Sequence, residues 1–305
     1  MQTDPAVPVE VQNLGPRVYR PLPFWLEAAR RMIREKPLGT WGGAFLVLVF
    51  VVVALAAPWI APYDPNEQQA EALFAAPSLA HPFGGDNNGR DVFSRVIYGA
   101  RISLLVGISA VALGTTAATI VGMVSGYMGG WVDMVMQRIV DSFIAFPGLV
   151  LLLLYVAVFG PGLRNTILAI ALFLVFAPSR VIRATTLGLK HQVYVEAART
   201  LGASDTRILY RHILPNLVPV VIVIATIGIG GAILTEASLS FLGLGIPPPS
   251  VSWGYMLGGA GARASFLKAP WVAIFPGLAL SLTVYAFNMF GDALRDVLDP
   301  RLRGR

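Results

Sequence analysis

Glu236, in the stretch LTEASLSFLG, separates two long uncharged runs, His212–Thr235 and Ala237–Ala262. A carboxylate among apolar neighbours is what an ion-coupled carrier needs near the bilayer midplane, where it binds and releases a proton or cation. Its position argues against that use. Glu236 lies roughly 20 residues beyond Pro215, so at about 1.5 Å per residue it sits near a membrane interface. Two readings follow: a residue of the pathway or outer gate, or an interfacial carboxylate snorkelling outward. Trp253 poses the same choice between lining the gate and sitting in the interfacial aromatic belt, and the belt is preferred.

Other chemistries lack their residues. A phosphate-binding loop needs Lys followed by Ser or Thr after a Gly-rich turn, and the three lysines precede Pro37, His191 and Ala269. The three histidines, His81, His191 and His212, are far apart, show no zinc spacing and read as solvated side chains. No serine occupies a Gly-x-Ser-x-Gly turn. The expectation is no catalytic residue, no cofactor, no metal and no ATPase activity of the chain's own. Asp86, Arg90, Asp91, Arg95 and Arg101 form a charged cluster. They are candidates for docking an outside protein, although mutual salt bridges that stabilise their loop are the preferred explanation.

The elements that carry these residues are apolar. The chain is 55% hydrophobic and only 13% charged, against about 25% charged for a water-soluble domain. Uncharged runs cover Pro37–Pro62, Ile102–Val132, Ser142–Leu163, Asn165–Ser179, His212–Thr235 and Ala269–Gly291. Spanning a bilayer takes roughly 20 apolar residues, and all but Asn165–Ser179 meet that length. Arg164 and Arg180 can snorkel from the ends of the short run, so six transmembrane helices are expected. Ala237–Ala262 is long enough for a seventh, but Pro247, Pro248 and Pro249 remove three backbone donors that lipid cannot replace. It reads as a loop folded back into a protein-lined or watery space.

With six spans and the amino terminus inside, 17 Lys and Arg fall on the cytoplasmic side and 6 outside, the asymmetry of cytoplasmic loops. The basic pI of 9.8 thus reads as topology, not nucleic-acid binding. Absence of cysteine excludes disulfides and thiolate metal sites. The first apolar run starts late and is too long for a signal-peptide core, so it is kept as a helix of the mature protein. Ahead of it, Pro23–Lys36 reads as a partly helical arm with an apolar stripe for the membrane surface, or as a solvated arm.

One polar segment stands out among the apolar ones: VYVEAARTLGASDTRILYRHILPN, Val193–Asn216. Val193–Leu201 is helix-competent, with Glu196 and Arg199 spaced as an i,i+3 pair. Gly202 follows where a helix ends in a left-handed residue. Ser204 can cap a second helix, with Asp205 in its first turn and Arg211 and His212 near its end. Pro215 suits the first turn of the next membrane helix. The product is a helix–Gly–helix elbow on which the small Ala197 and Ala198 allow close approach by another surface. An ordinary capped loop fits these physical features equally well.

The pattern resembles the EAA motif of membrane subunits of binding-protein-dependent ABC importers. Glu196, Ala197, Ala198, Gly202, Leu214 and Pro215 match at the required spacing; His212 stands at the Ile position. Three more stretches are similar to the C-type permease of dipeptide and oligopeptide systems: HPFGGDNNGRDVFSRVIYGARISLLVG (His81–Gly107), LTEASLSFLGLGIPPPSVSWGYML (Leu234–Leu257) and REKPLGTWGG (Arg34–Gly43). The likeness runs from about residue 34 to Asp299.

The resemblance implies an all-α polytopic membrane protein of the type I ABC importer permease fold, with one extra N-terminal helix on a five-helix core. It divides the chain into a cytoplasmic arm (1–36), a first helix and outer loop (37–99), the permease domain (100–292) and a cytoplasmic tail (293–305). It implies ATPase coupling through Glu196, Ala197, Ala198, Gly202, Arg207, Leu214 and Pro215. The expected partners are a second homologous permease, two ATP-binding subunits that use the ATP, an extracytoplasmic binding protein, a peptide substrate and membrane lipid. The location is a prokaryotic plasma (inner) membrane, multi-pass, with both termini cytoplasmic. Nickel chelates or other small solutes are the alternative cargo, and an ion-coupled secondary transporter is the alternative of another class.

Overall fold

The computed structural model describes residues 41–258 and 267–298. The arm over Pro23–Lys36 and the residues after Leu298 lie outside the described residues, as does the end of the Ala237–Ala262 loop. Apart from one isolated bridge between Gly85 and Asp91, the described secondary structure is helical.

The first apolar segment forms α1 (Gly43–Leu55) and, after Ala56, the short α2 (Ala57–Ile60). Pro58 lacks an amide hydrogen and its ring crowds the preceding turn, which accounts for the break. As described, α1 covers about 20 Å, short of a full crossing. The long helix α3 (Val92–Met128) begins at Asp91, whose side chain accepts from the Ser94 amide, and ends at Gly129, with φ +65°.

The expected single span over Ser142–Leu163 is instead two helices, α4 (Gly130–Ile144) and α5 (Gly148–Phe159), set at 88°. Pro147 at the break has no amide to donate and drives Phe146 away from helical geometry. Helix α6 (Leu163–Leu189) is far longer than the expected Asn165–Ser179 run. Arg180 is therefore not a snorkelling terminal residue: it lies within α6 and pairs with Asp141 of α4.

The elbow supplies α7 (Val193–Thr200) and α8 (Asp205–Ile208). A π-helical turn, Leu209–Ile213, joins α8 to α9 (Leu214–Phe241), so Asp205–Phe241 is one continuous 37-residue helical segment. A short α10 (Trp253–Gly258) folds back against α9, and α11 (Trp271–Leu298) completes the bundle. Among the described residues, four helices have the length and composition of spans, α3, α6, the α8–α9 rod and α11, and α4–α5 makes a fifth if counted as one. The expected count of six is thus met only if the shorter α1 is added.

Small residues decide the central packing. A Cβ on Gly122 would come within 2.4 Å of the Ser179 carbonyl, and one on Gly114 within 2.7 Å of the Ala171 carbonyl. Together with fully buried Ala118, these positions recur every fourth residue along α3. They let the α3 backbone approach α6 closely, as small residues do at membrane helix contacts.

Candidate functional sites at the two ends of one helix

The elbow and the folded-back hairpin occupy opposite ends of the Asp205–Phe241 rod, which at 1.5 Å per residue is about 55 Å long. Each is built from local chain signals and then fixed by contacts from distant segments.

At the elbow, Gly202 adopts φ +80°. Its amide donates to the Arg199 carbonyl at 3.0 Å, and the Ala203 amide donates to the Ala198 carbonyl at 3.0 Å. This 6→1 and 5→2 pair is the Schellman ending of a helix, which satisfies carbonyls that α7 would otherwise leave bare. Ser204 caps α8 by accepting from the Arg207 amide. Pro215 stands in the first turn of α9 as expected, but no break precedes it. The preceding turn widens to π geometry, with the Leu214 amide donating to the Leu209 carbonyl. The Asn216 side-chain amide donates to the His212 carbonyl at 2.7 Å in the same turn.

The elbow has two faces. Val195, Ala198, Ile208, Ile213 and Leu217 are buried in a cluster with Ala118, Tyr127 and Ile182 of α3 and α6. Glu196, Ala197, Gly202, Arg207 and Pro215 are exposed, and Leu214 is intermediate. Alongside them Val193 is 81%, Leu201 88% and Tyr210 74% exposed, so the outward face mixes apolar and charged groups. The two alanines expected to act alike are thereby separated: Ala197 faces out, whereas Ala198 is part of the packing that holds the elbow.

At the hairpin, Glu236 is fully buried, which corrects the snorkelling expectation. The Ser240 hydroxyl donates to its Oε1 at 2.7 Å and the Ser103 hydroxyl to its Oε2 at 3.3 Å. Ser252 also hydrogen-bonds to it. The carboxyl group thus joins α3, α9 and the segment leading into α10. Trp253 is likewise fully buried and does not sit in an aromatic belt. Its indole NH donates to the Val96 carbonyl at 2.9 Å, its ring lies over Gly99, and Phe50 meets it edge-on. Gly254 and Gly258 seat α10 on the backbone of Ala237 and Phe241, where a Cβ would collide at 2.3 and 2.1 Å.

The Asp86–Arg95 cluster is spent within its own loop. Asp86 Oδ2 accepts from Arg90 Nε at 2.7 Å and lies 3.8 Å from Arg95 Nε, while Arg95 Nη1 donates to the Pro65 carbonyl at 2.7 Å. Asp91 caps α3 and bonds His81 Nδ1 at 3.0 Å, so His81 is a buried partner and not a solvated side chain. Asp86, Asp91 and Arg95 are buried. This is the loop-stabilising arrangement. Arg90 is only partly covered, and Arg101 is exposed.

Several functional-site residues lacked any mark in the sequence. Tyr127 reaches the elbow from 78 positions away. Asp133 of α4 takes a two-pronged contact from Arg183 of α6 and a hydrogen bond from Ser125. Only the Gly129–Gly130 pair hinted that Tyr127 would fall in the last turn of a helix.

Charge-poor helices of spanning length, a capped polar elbow at one end and a folded-back hairpin at the other have the architecture of a polytopic membrane protein. The chain belongs to the family described as "Binding-protein-dependent transport system inner membrane component", matched over residues 118–304. Residues 23–77 match the "N-terminal TM domain of oligopeptide transport permease C". It is 49% identical over 281 residues to the "Glutathione transport system permease protein GsiD" of Escherichia coli O6:K15:H31, covering 92% of this chain and 91% of that one. The GsiD of Shigella boydii serotype 4 matches to the same extent. A solved structure, "Inward facing conformations of the MetNI methionine ABC transporter", superposes with a TM-score of 0.54 at 18% identity. It covers 67% of this chain and 96% of that chain, a likeness of fold.

Proposed function

We propose that the chain is one of two permease subunits of an ATP-driven importer of short peptides, and that its elbow is the handle gripped by an ATPase subunit. The observation that carries this reading is the two-faced elbow. One face is packed into α3 and α6, while the other offers Val193, Tyr194, Ala197 and Leu201 beside Glu196 and Arg207. A rigid, partly apolar projection with nothing among the described residues covering it suits a groove on a partner.

In this reading the elbow and both termini are cytoplasmic, and the hairpin and the Tyr63–Asp91 loop are outside. A second permease completes the pathway, two ATP-binding subunits engage the two elbows, and an outside binding protein delivers cargo, with Arg101 and then Arg90 the most available of the proposed docking residues. The name of the relatives points to a small peptide, since glutathione is a tripeptide. An ion-coupled carrier is disfavoured because Glu236, its required carboxylate, is sealed among serines.

The chain has no cysteine, so a cysteine placed at Ala197 is this subunit's single thiol. Expected is cross-linking from position 197, and not from buried Ala198, to the ATPase subunit, with loss of ATP-driven uptake in Glu196→Lys. Uptake by the purified chain alone, or wild-type transport by Glu196→Lys with no cross-link from position 197, refutes the reading.

A further inference from the structure

We propose that Tyr127 is the positioning residue that ties both legs of the elbow to α3, so that the last turn of α3 is the joint through which elbow movement enters the helical bundle. This rests on the elbow being the ATPase handle.

The Tyr127 hydroxyl donates to Asp205 Oδ1 at 2.6 Å and accepts from Arg199 Nη2 at 3.4 Å. Arg199 belongs to α7, before the Gly202 turn, and Asp205 opens α8, after it. One phenol therefore meets both legs, and the Arg199 guanidinium also lies 5.8 Å from the centre of its ring. The ring itself is buried in the apolar cluster that seats the elbow.

The same turn of α3 is engaged on its other flank. The Ser125 hydroxyl donates to Asp133 of α4 and accepts from Gln137 Nε2 at 2.9 Å. The Gly126 carbonyl accepts from Lys190 Nζ at 3.2 Å, just past the end of α6. Asp133 is held in turn by Arg183 of α6. Ser125, Gly126 and Tyr127 thus gather contacts from the elbow, α4 and α6 within three consecutive residues.

Apolar contacts alone are non-directional and let one surface slide on another. A hydrogen bond to a charged carboxylate has a set direction and length. With it, displacement of the elbow must carry the end of α3; without it, the elbow can shift over the apolar cluster while α3 stays behind. ATP would still be hydrolysed, but less of each cycle would reach the pathway.

The test uses the whole importer in proteoliposomes: this chain, its partner permease, the ATPase subunits and the binding protein, with ATP hydrolysis and glutathione uptake measured together. Tyr127→Phe removes one oxygen and keeps the packed ring. Expected is normal assembly, ATP hydrolysis within about twofold of wild type, and about a tenfold fall in uptake per ATP, the size set by a charge-assisted hydrogen bond. Asp205→Ala should lower the same ratio, and the double variant should be no worse than the poorer single one, because both act on one bond. Overturning results are an unchanged ratio in Tyr127→Phe, a proportional loss of uptake and hydrolysis, additive losses in the double variant, or failure of both single variants to assemble. ATP-independent uptake by the wild-type importer would instead sink the ATPase-handle reading.

Discussion

Gly202 allows the elbow's geometry to be tested separately from its contacts. A Cβ at this position would meet nothing within 4 Å, yet φ is +80°. Substitution there costs backbone conformation and no collision. An L-residue in the left-handed region costs about 1–2 kcal/mol, more with a branched Cβ and less for Asn, whose side chain tolerates that region. At about 1.4 kcal/mol per factor of ten, Gly202→Ala should reduce the population of the bent elbow about tenfold relative to the straightened one, and Gly202→Val further. Gly202→Asn should lie within a few-fold of wild type. ATP-driven uptake by the assembled importer, with cross-linking from a cysteine at position 197, reads this population. The order Gly, Asn, Ala, Val is the signature of a conformational cost. If Asn is as damaging as Val, the exposed surface of the glycine is itself a contact and the reasoning fails; if Val transports as wild type, the bend is not needed.

Two further predictions concern the packing inside the bundle. Replacing Glu236 by Ala removes the acceptor of three buried serine hydroxyls and opens a cavity, so the thermal stability of the purified complex should fall by about 2–4 kcal/mol. Glu236→Gln, which keeps shape and an acceptor, should lose about 1 kcal/mol or less; equal loss of uptake in both variants without loss of stability would show an ionised role instead. Gly122→Ala puts a Cβ 2.4 Å from the Ser179 carbonyl, forcing α3 and α6 apart at about 1–3 kcal/mol. Gly188→Ala in α6, with nothing within 4 Å, should gain up to about 1 kcal/mol, and matching melting shifts in the two variants would refute the close-packing argument.

The parts of this fold legible in sequence are those whose cause is local. The left-handed Gly202, the Ser204 cap and the placement of Pro215 each follow from the backbone needs of one or two residues, and the structure realises all three. The Pro147 break was also local, but an uncharged run hides a bend, because hydropathy counts residues and ignores direction. The fates of Glu236 and Trp253 were not legible. Whether a carboxylate snorkels or is buried depends on Ser103, 133 positions away, and the indole's partner Val96 is 157 positions away. The division of Ala197 from Ala198 needed the rotation of α7 against α3. Single residues in a short helix do not encode that rotation.

The two ends of the Asp205–Phe241 rod are linked by leverage. A tilt of about 5° about the middle of a 55 Å helix moves each end by about 2.4 Å, enough to break a hydrogen bond that fails beyond about 3.5 Å. Gly254 and Gly258 seat the hairpin on the backbone of α9, so the hairpin follows α9. The bonds that would register such a tilt are those reaching across to α3: Ser103 to Glu236 and Trp253 to the Val96 carbonyl. At the elbow end, α9 and α3 are instead tied through Tyr127 and Asp205. Two helices fastened at one end by a charged hydrogen bond and at the other by an indole and a serine can change their mutual tilt only by breaking one fastening. Whichever bond is weaker then sets the end that opens first. The carboxylate at the elbow lies on an exposed residue and that at the hairpin is sealed from solvent. Water can replace the lost partner of Asp205 but not that of Glu236. Even so, the Tyr127–Asp205 bond is 2.6 Å long against 3.3 Å for Ser103–Glu236, and a contact near the distance limit fails first, so the hairpin end opens first while the elbow tie carries the movement into α3.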